Sequence, residues 1–233
     1  MMRGPLKWSV VGLCAVFALT GATWLSFHRA DIPYEDLEAL YEQPVSEYAR
    51  LPNGLLVHYT DEGPRDAPVL LLVHGLASAS QSWSSWREEL KEDYRVISVD
   101  LPGHGLTRVL ETTDLTTAGL VDFLSRFSTR LNLDEFVLVG ASLGGHIGWE
   151  YALRHSDGLS GLVLVAPAGL SSPDKAREHA AFASDIVNNP VVSALAVTLD
   201  PAIAIRRGFV AASGEAAPSE TVRQYADFAR APW

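Results

Sequence analysis

The stretch FVLVGASLGGHIGWEYAL, residues Phe136–Leu153, decides the fold. An apolar run enters the turn GASLG at 140–144, and a segment of helical character leaves it. This GxSxG pattern, set between a buried strand and a helix, is typical of a serine held in strained backbone geometry with its hydroxyl exposed. Gly140 and Gly144 leave room for the sharp reversal, and a helix N-terminus favours developing negative charge. The stretch therefore predicts that Ser142 is presented as a nucleophile, the alternative being a turn that only joins strand to helix.

Strand and helix patterns alternate on both sides of this turn. The apolar run at 68–75, bounded by Pro and Gly, suits a strand buried on both faces. Alternation at this spacing predicts βαβ units and a mostly parallel α/β sheet. Functional loops then lie at the carboxyl ends of the strands, where His74, Asp100 and Ser142 fall. The predicted strands are 54–63, 68–75, 94–103, 135–140 and 159–167, and the predicted helices are 82–93, 115–131 and 142–155.

The 233-residue chain divides into four segments. Residues 1–30 contain a long apolar run, which predicts an N-terminal membrane anchor or a signal peptide. Residues 31–50 are acidic with two prolines, which predicts a linker with one helical turn. Residues 51–170 carry the strand–helix alternation. Residues 171–233 hold helical stretches broken by prolines and no convincing buried strand, which predicts a small helical cap.

Residues 8–27 are twenty consecutive residues without a charge. A helix of that length spans about 30 Å, the thickness of the hydrocarbon core of a bilayer. Arg3 and Lys7 precede the run and acidic residues follow it, so the positive-inside rule places the N-terminus in the cytoplasm and the remainder outside. The pattern predicts a single-pass, uncleaved membrane anchor. A cleaved signal peptide with secretion is the alternative, although Thr20 and Ala22 offer only a weak cleavage site.

The overall composition excludes several classes of partner. The formal net charge is −10 and the pI is near 5.1, whereas nucleic-acid binding needs clustered Lys and Arg. Cys14 is the one cysteine in the sequence, which excludes an intramolecular disulfide and cysteine-cluster metal sites.

Two further motifs accompany GASLGG. LLLVHGLASASQSW places His74 and Gly75 at the end of a strand, and VISVDLPGHGLT places Asp100 and His104 after the next one. In this order the three motifs resemble the α/β-hydrolase superfamily over about residues 51–170. The branch they resemble contains esterases, lipases, haloperoxidase-like enzymes and carbon–carbon bond hydrolases. The resemblance implies a serine hydrolase that acts on an ester or related acyl substrate with an apolar portion, without a metal or an organic cofactor.

The resemblance also implies individual roles. Ser142 is expected to be the nucleophile, with the backbone N–H groups of Leu76 and Leu143 as oxyanion donors. The remaining motif residues are expected to shape the loops rather than react, as is His104, and Asp100 is expected to be structural. His146 is expected to point into the helix packing or the edge of the pocket rather than at the nucleophile. The expected motif-shaping residues are His74, Gly75, Gly140 and Gly144.

The partners of Ser142 are harder to place. In this fold an acid and then a histidine follow the serine along the chain. His146, His155 and His179 follow Ser142, but none comes after a strand or lies in a C-terminal glycine loop. The resemblance therefore implies a sheet that is incomplete after its sixth strand, a C-terminally truncated chain without its triad acid and base, and little activity. The alternatives are a carbon–carbon hydrolase, a haloperoxidase-like enzyme, or a catalytically dead, membrane-tethered binding module.

Overall fold

A computed structural model describes residue 21, residues 30–169 and residues 200–232. Apart from residue 21, the predicted anchor at 8–27 lies outside the described residues. Among the helices in the described part of the chain, none combines the length and apolar character needed to cross a bilayer.

The described strands form one six-stranded sheet in the order β1-β2-β4-β3-β5-β6. The pairings β3–β4, β3–β5 and β5–β6 are parallel, whereas β1–β2 and β2–β4 are antiparallel. The prediction of a mostly parallel α/β sheet is confirmed. The strands are β1 (Ser46–Arg50), β2 (Leu56–Glu62), β3 (Val69–Val73), β4 (Arg95–Val99), β5 (Phe136–Ala141) and β6 (Leu159–Val165).

A helix follows each of β3, β4 and β5 in the chain and connects it to the next strand. Thr116 caps the longest of these helices, and its side chain accepts a hydrogen bond from the Gly119 N–H. The helix buries Leu124 and Phe127 against the sheet, as its apolar spacing predicts. The helices are α1 (Tyr34–Tyr41), α2 (Ser84–Leu90), α3 (Thr117–Arg130), α4 (Leu143–Arg154), α5 (Ala202–Ser213) and α6 (Ser219–Phe228), with short 3₁₀ turns at Ser80–Trp83 and Ser156–Gly158.

The interpretation of residues 31–50 as a linker is wrong, because this segment folds against the rest of the chain. Helix α1 buries Leu37, and the Tyr41 hydroxyl donates to Asp227 Oδ2 over 2.6 Å. Strand β1 then pairs with β2 from Ser46 opposite Thr60 to Arg50 opposite Leu56. An edge strand buries one face and pairs through its backbone, so its side chains carry little of the apolar signal that identifies a central strand.

The described part of the predicted cap, residues 200–232, consists of helices α5 and α6. Phe209 and Tyr225 stack with ring centroids 5.9 Å apart, which joins the two helices. Phe228 packs edge-on against Tyr41 at 4.9 Å and so joins α6 to α1. Helices α5 and α6 therefore pack together, and α6 packs on α1, the helix that precedes the first strand.

Candidate active site

The turn after β5 has the strained geometry that its sequence predicts. Ser142 has φ 49° and ψ −113°, a left-handed φ that is rare for a residue with a side chain. The Ser142 N–H donates to the Val165 carbonyl over 3.0 Å, and its own carbonyl accepts from the N–H groups of His146 and Ala168. These hydrogen bonds hold Ser142 between the end of β5 and the start of α4 and leave the residue exposed to solvent.

Close backbone approaches explain the glycines around the turn. A Cβ at Gly140 would lie 2.3 Å from the Gly144 oxygen, and one at Gly144 would lie 2.2 Å from the Val73 oxygen. Both distances are far inside van der Waals contact, so a side chain at either position would displace backbone. A Cβ at Gly75 would meet Ser142 Cβ at 3.1 Å, which places the loop after β3 directly beside the serine.

Register brings the three motif loops to one edge of the sheet. Val73 pairs with Val99 on one side and with Gly140 on the other, so β3, β4 and β5 end at the same level. Leu143 is the first residue of α4, and its N–H has no carbonyl one turn earlier within the helix. Leu76 follows Gly75 in the loop beside Ser142, and its side chain is 71% exposed. Both N–H groups thus belong to the segments that flank the serine.

An apolar cavity of about 630 Å³ lies next to the turn. The loop after β3 contributes Gly75 and Leu76, and Ala141 and Val165 come from the ends of β5 and β6. Tyr225 from the cap lines the same cavity, and its hydroxyl accepts a hydrogen bond from Ser78 Oγ over 3.2 Å. The other lining residues are Ala77, Ser82, Trp83, Trp86, Ala204, Ile205, Gly208 and Phe209.

His74 is fully buried and supports the loops rather than contacting the serine. Its Nε2 accepts from the Leu101 N–H over 3.0 Å, and its Nδ1 lies 2.7 Å from the Gly75 carbonyl, to which it donates. Burial lowers the pKa of His74 to about 4, and the nearby His104 imidazole adds to this effect. His74 is therefore neutral at pH 7 and ties the β3 loop to the β4 loop.

Asp100 is also fully buried, and its carboxylate has several partners. The N–H groups of Ser80 and Leu106 donate to it over 2.6 and 2.9 Å, and His58 Nδ1 lies 2.7 Å from Oδ2. Burial acts to raise the Asp100 pKa, but the His58 charge and hydrogen bond outweigh burial and hold that pKa at about 2. Asp100 is ionised at neutral pH and organises the loops that follow β4 and β3.

His58 and its second partner, Ser46, were not among the candidate residues predicted from the sequence. His58 Nε2 lies 2.8 Å from Ser46 Oγ, so the imidazole bridges a serine on β1 and a carboxylate after β4. His58 lies in a strand with buried neighbours on both sides, and a polar residue at such a position is a signal that a partner is required. Its partners are 12 and 42 residues away in the chain, so a local sequence pattern cannot predict these two contacts.

Comparison with known proteins identifies the family to which this architecture belongs. The family model described as the alpha/beta hydrolase fold matches residues 68–191, more than half of the chain. The chain belongs to the α/β-hydrolase fold family.

Named relatives within the α/β-hydrolase family match part of the chain. Monoacylglycerol lipase abhd6-A of Xenopus laevis is 34% identical over 122 residues, 51% of this chain and 36% of its own. Epoxide hydrolase 2 of Caenorhabditis elegans is 30% identical over 154 residues, 63% of this chain and 42% of its own. The chain thus spans less than half the length of these relatives. The crystal structure of a putative lipase from Acinetobacter baumannii superimposes with a TM-score of 0.63 at 22% identity, over 87% of this chain and 66% of that one.

Among the described residues, neither His146 nor His155 makes a hydrogen bond to the Ser142 hydroxyl. His146 Nδ1 accepts from Trp149 Nε1 over 2.9 Å, and its Nε2 lies 3.5 Å from Thr117 Oγ1, so its ring packs along α4 and against α3. His155 follows the last residue of α4 and is exposed. Within residues 30–169 and 200–232, no hydrogen bond joins the Ser142 hydroxyl to an imidazole. His179 lies outside the described residues.

Proposed function

We propose that this α/β-hydrolase fold protein is a serine hydrolase that cleaves ester or related acyl substrates with an apolar portion. The observation that carries the proposal is the backbone of Ser142, a non-glycine residue at φ 49° between a buried strand and a helix N-terminus. Strain of this kind costs on the order of 1–3 kcal/mol and persists where the surrounding structure fixes it, often at functional sites.

In the proposed reaction Ser142 Oγ attacks the acyl carbon of the substrate. The negative charge that develops on the carbonyl oxygen is stabilised by the backbone N–H groups of Leu76 and Leu143, which flank the serine, and by the helix N-terminus. The bond from the acyl carbon to the alkoxy oxygen then breaks, the alcohol leaves with the proton that Ser142 gave up, and water releases the acid from the acyl-enzyme. An imidazole from outside the described residues acts as the general base in this proposal. The reaction requires only the main chain at positions 76 and 143.

The cavity beside the turn supports the proposed substrate class. Trp83, Ile205 and Phe209 supply large apolar surfaces, and a volume of about 630 Å³ is in the range of small-molecule sites. Burial of apolar surface contributes about 25 cal/mol per Å², so an acyl chain gains affinity as it lengthens. We expect four- to eight-carbon acyl esters to have lower KM values than acetate esters.

Turnover of nitrophenyl esters of increasing chain length tests the proposal. Ser142→Ala is expected to lower kcat by a factor on the order of 10³ or more, because the nucleophile acts only in the reaction and not in binding. Ser160→Ala, at an exposed position on β6, is the matched control and is expected to keep the original rate. Measurable ester turnover by the unaltered chain that Ser142→Ala leaves undiminished would contradict the proposal.

We also propose that residues 8–27 anchor the protein in a membrane, with the hydrolase domain outside the cytoplasm. The described residue that follows this run, Ala30, is fixed to the cap, because Arg230 donates to the Ala30 carbonyl over 2.7 and 3.0 Å. The anchor would therefore hold the cap side of the domain close to the bilayer.

Alkaline carbonate extraction of cell membranes tests whether the protein is anchored. The anchored protein stays in the pellet at full mass, whereas loss of the first two dozen residues would indicate a secreted form.

A further inference from the structure

A second serine in this molecule has the imidazole and carboxylate that Ser142 lacks among the described residues. Ser46 Oγ lies 2.8 Å from His58 Nε2, and His58 Nδ1 lies 2.7 Å from Asp100 Oδ2. A nucleophile within hydrogen-bond reach of a base that is itself oriented by a third group is the arrangement that activates serine. We propose that Ser46 is a second nucleophilic serine, and a site of covalent modification by activated acyl or phosphonyl esters.

The hydrogen bonds around Asp100 fix the orientation of the base. The carboxylate is ionised and accepts from the N–H groups of Ser80 and Leu106, so it can only accept from His58 Nδ1. With its Nδ1 proton directed at Asp100, the imidazole can accept a proton at Nε2, which faces Ser46 Oγ. This is the tautomer that a general base requires.

The position of Ser46 differs from that of its two buried partners. His58 and Asp100 are 0% exposed, whereas Ser46 opens the edge strand β1 and is half-buried. Its Oγ also accepts from the Gln43 N–H over 2.9 Å, which leaves its proton for His58. Gln43, which donates this hydrogen bond, also lines a groove of about 940 Å³.

With an ester, the Ser46 oxygen attacks the carbonyl carbon while its proton passes to His58 Nε2. The bond from the carbonyl carbon to the alkoxy oxygen breaks, and the alcohol leaves with the proton from His58. The products are O-acyl Ser46 and the free alcohol. Ser46 begins a strand and does not precede a helix, so its oxyanion lacks the N-terminal N–H groups that Ser142 has. We expect the adduct to form and then persist, because its hydrolysis requires the same missing stabilisation.

Peptide mapping by mass spectrometry after exposure to a fluorophosphonate tests the proposal. Ser142→Ala serves as the background so that the first serine does not consume the probe. Ser46 is expected to react at least tenfold faster than Ser160, an exposed serine on β6 that serves as the internal reference. Equal rates at these two serines would overturn the proposal, and this comparison needs no substitution in the core.

His58→Gln, added to the same background, then identifies the base. Loss of a general base lowers rates by a factor of about 10²–10⁴, so labelling of Ser46 should fall to the rate of Ser160. Circular dichroism and thermal melting report whether this variant keeps its fold. A folded His58→Gln protein that still labels Ser46 at the original rate would also overturn the proposal, because a purely structural Ser46–His58–Asp100 network predicts no dependence on the imidazole.

Discussion

Among the residues that the structure describes, Ser142 after the end of β5 and Ser46 at the start of β1 differ in what surrounds them. Ser142 has the strained turn, the helix N-terminus and an adjacent apolar cavity, whereas Ser46 has the imidazole of His58 and the carboxylate of Asp100. This difference shows that exposing a serine hydroxyl and placing a base beside it depend on different parts of the structure. A turn of five residues achieves the first, but the second needs partners from distant strands.

The largest expected effect concerns the room that the Ser142 turn requires. Gly144→Ala places a Cβ 2.2 Å from the Val73 oxygen and should lower the free energy of unfolding by about 3 kcal/mol, because backbone must move. Gly148→Ala is the matched control in the same helix, where the nearest atoms lie at 3.5 Å.

Urea titration of both variants makes this measurement. Gly148→Ala should be neutral or stabilising by up to about 1 kcal/mol, as alanine favours helix over glycine. Equal destabilisation of the two variants would show that the reversal at Ser142 does not depend on close backbone contact.

Acid should lower the free energy of unfolding in two separate pH ranges, one set by His74 after β3 and the other by Asp100 after β4. The folded pKa of His74, about 4, lies below its ordinary 6.5, so the unfolded chain binds the proton first and stability falls as pH drops from 6.5 to 4. Asp100 has a folded pKa of about 2, below its ordinary 3.8, so its contribution is lost only as pH falls from 3.8 through 2. Between pH 7 and 5 the loss assigned to His74 is about 2 kcal/mol.

Denaturant unfolding at pH 7 and pH 5 separates these contributions. His74→Asn keeps a hydrogen-bonding side chain but does not titrate, so its stability should change by about 2 kcal/mol less than that of the unaltered chain over this interval. An unchanged pH dependence in His74→Asn would show that the buried imidazole is not the group that senses acid.

The smallest expected effect comes from backbone strain at the two serines. Ser142→Gly should stabilise the fold by about 1 kcal/mol, because glycine adopts φ 49° without steric cost. Ser46→Gly should destabilise it by a similar amount, since glycine in a strand loses more conformational freedom. Thermal melting of both variants compares them, and a destabilised Ser142→Gly protein would show that the turn stores no strain.

The sequence predicted those features that a short segment determines. The Ser142 turn, the β5 strand before it and the α4 helix after it are local, and the structure has all three. Strand β1 was missed because Glu47 and Arg50 face solvent and its pairing is made through the backbone. The Ser46–His58–Asp100 contacts were missed because they depend on the antiparallel pairing of β2 with β1 and β4, which periodicity does not report.

The rate at which a fluorophosphonate modifies Ser142 in the unaltered chain tests whether this serine is the nucleophile. Peptide mapping should find the phosphonyl group on Ser142 before any exposed serine reacts, at a rate at least a hundredfold above that of Ser160. A Ser142 that stays unmodified, or reacts no faster than Ser160, would show that the strained turn presents an inert hydroxyl and would contradict its assignment as the nucleophile.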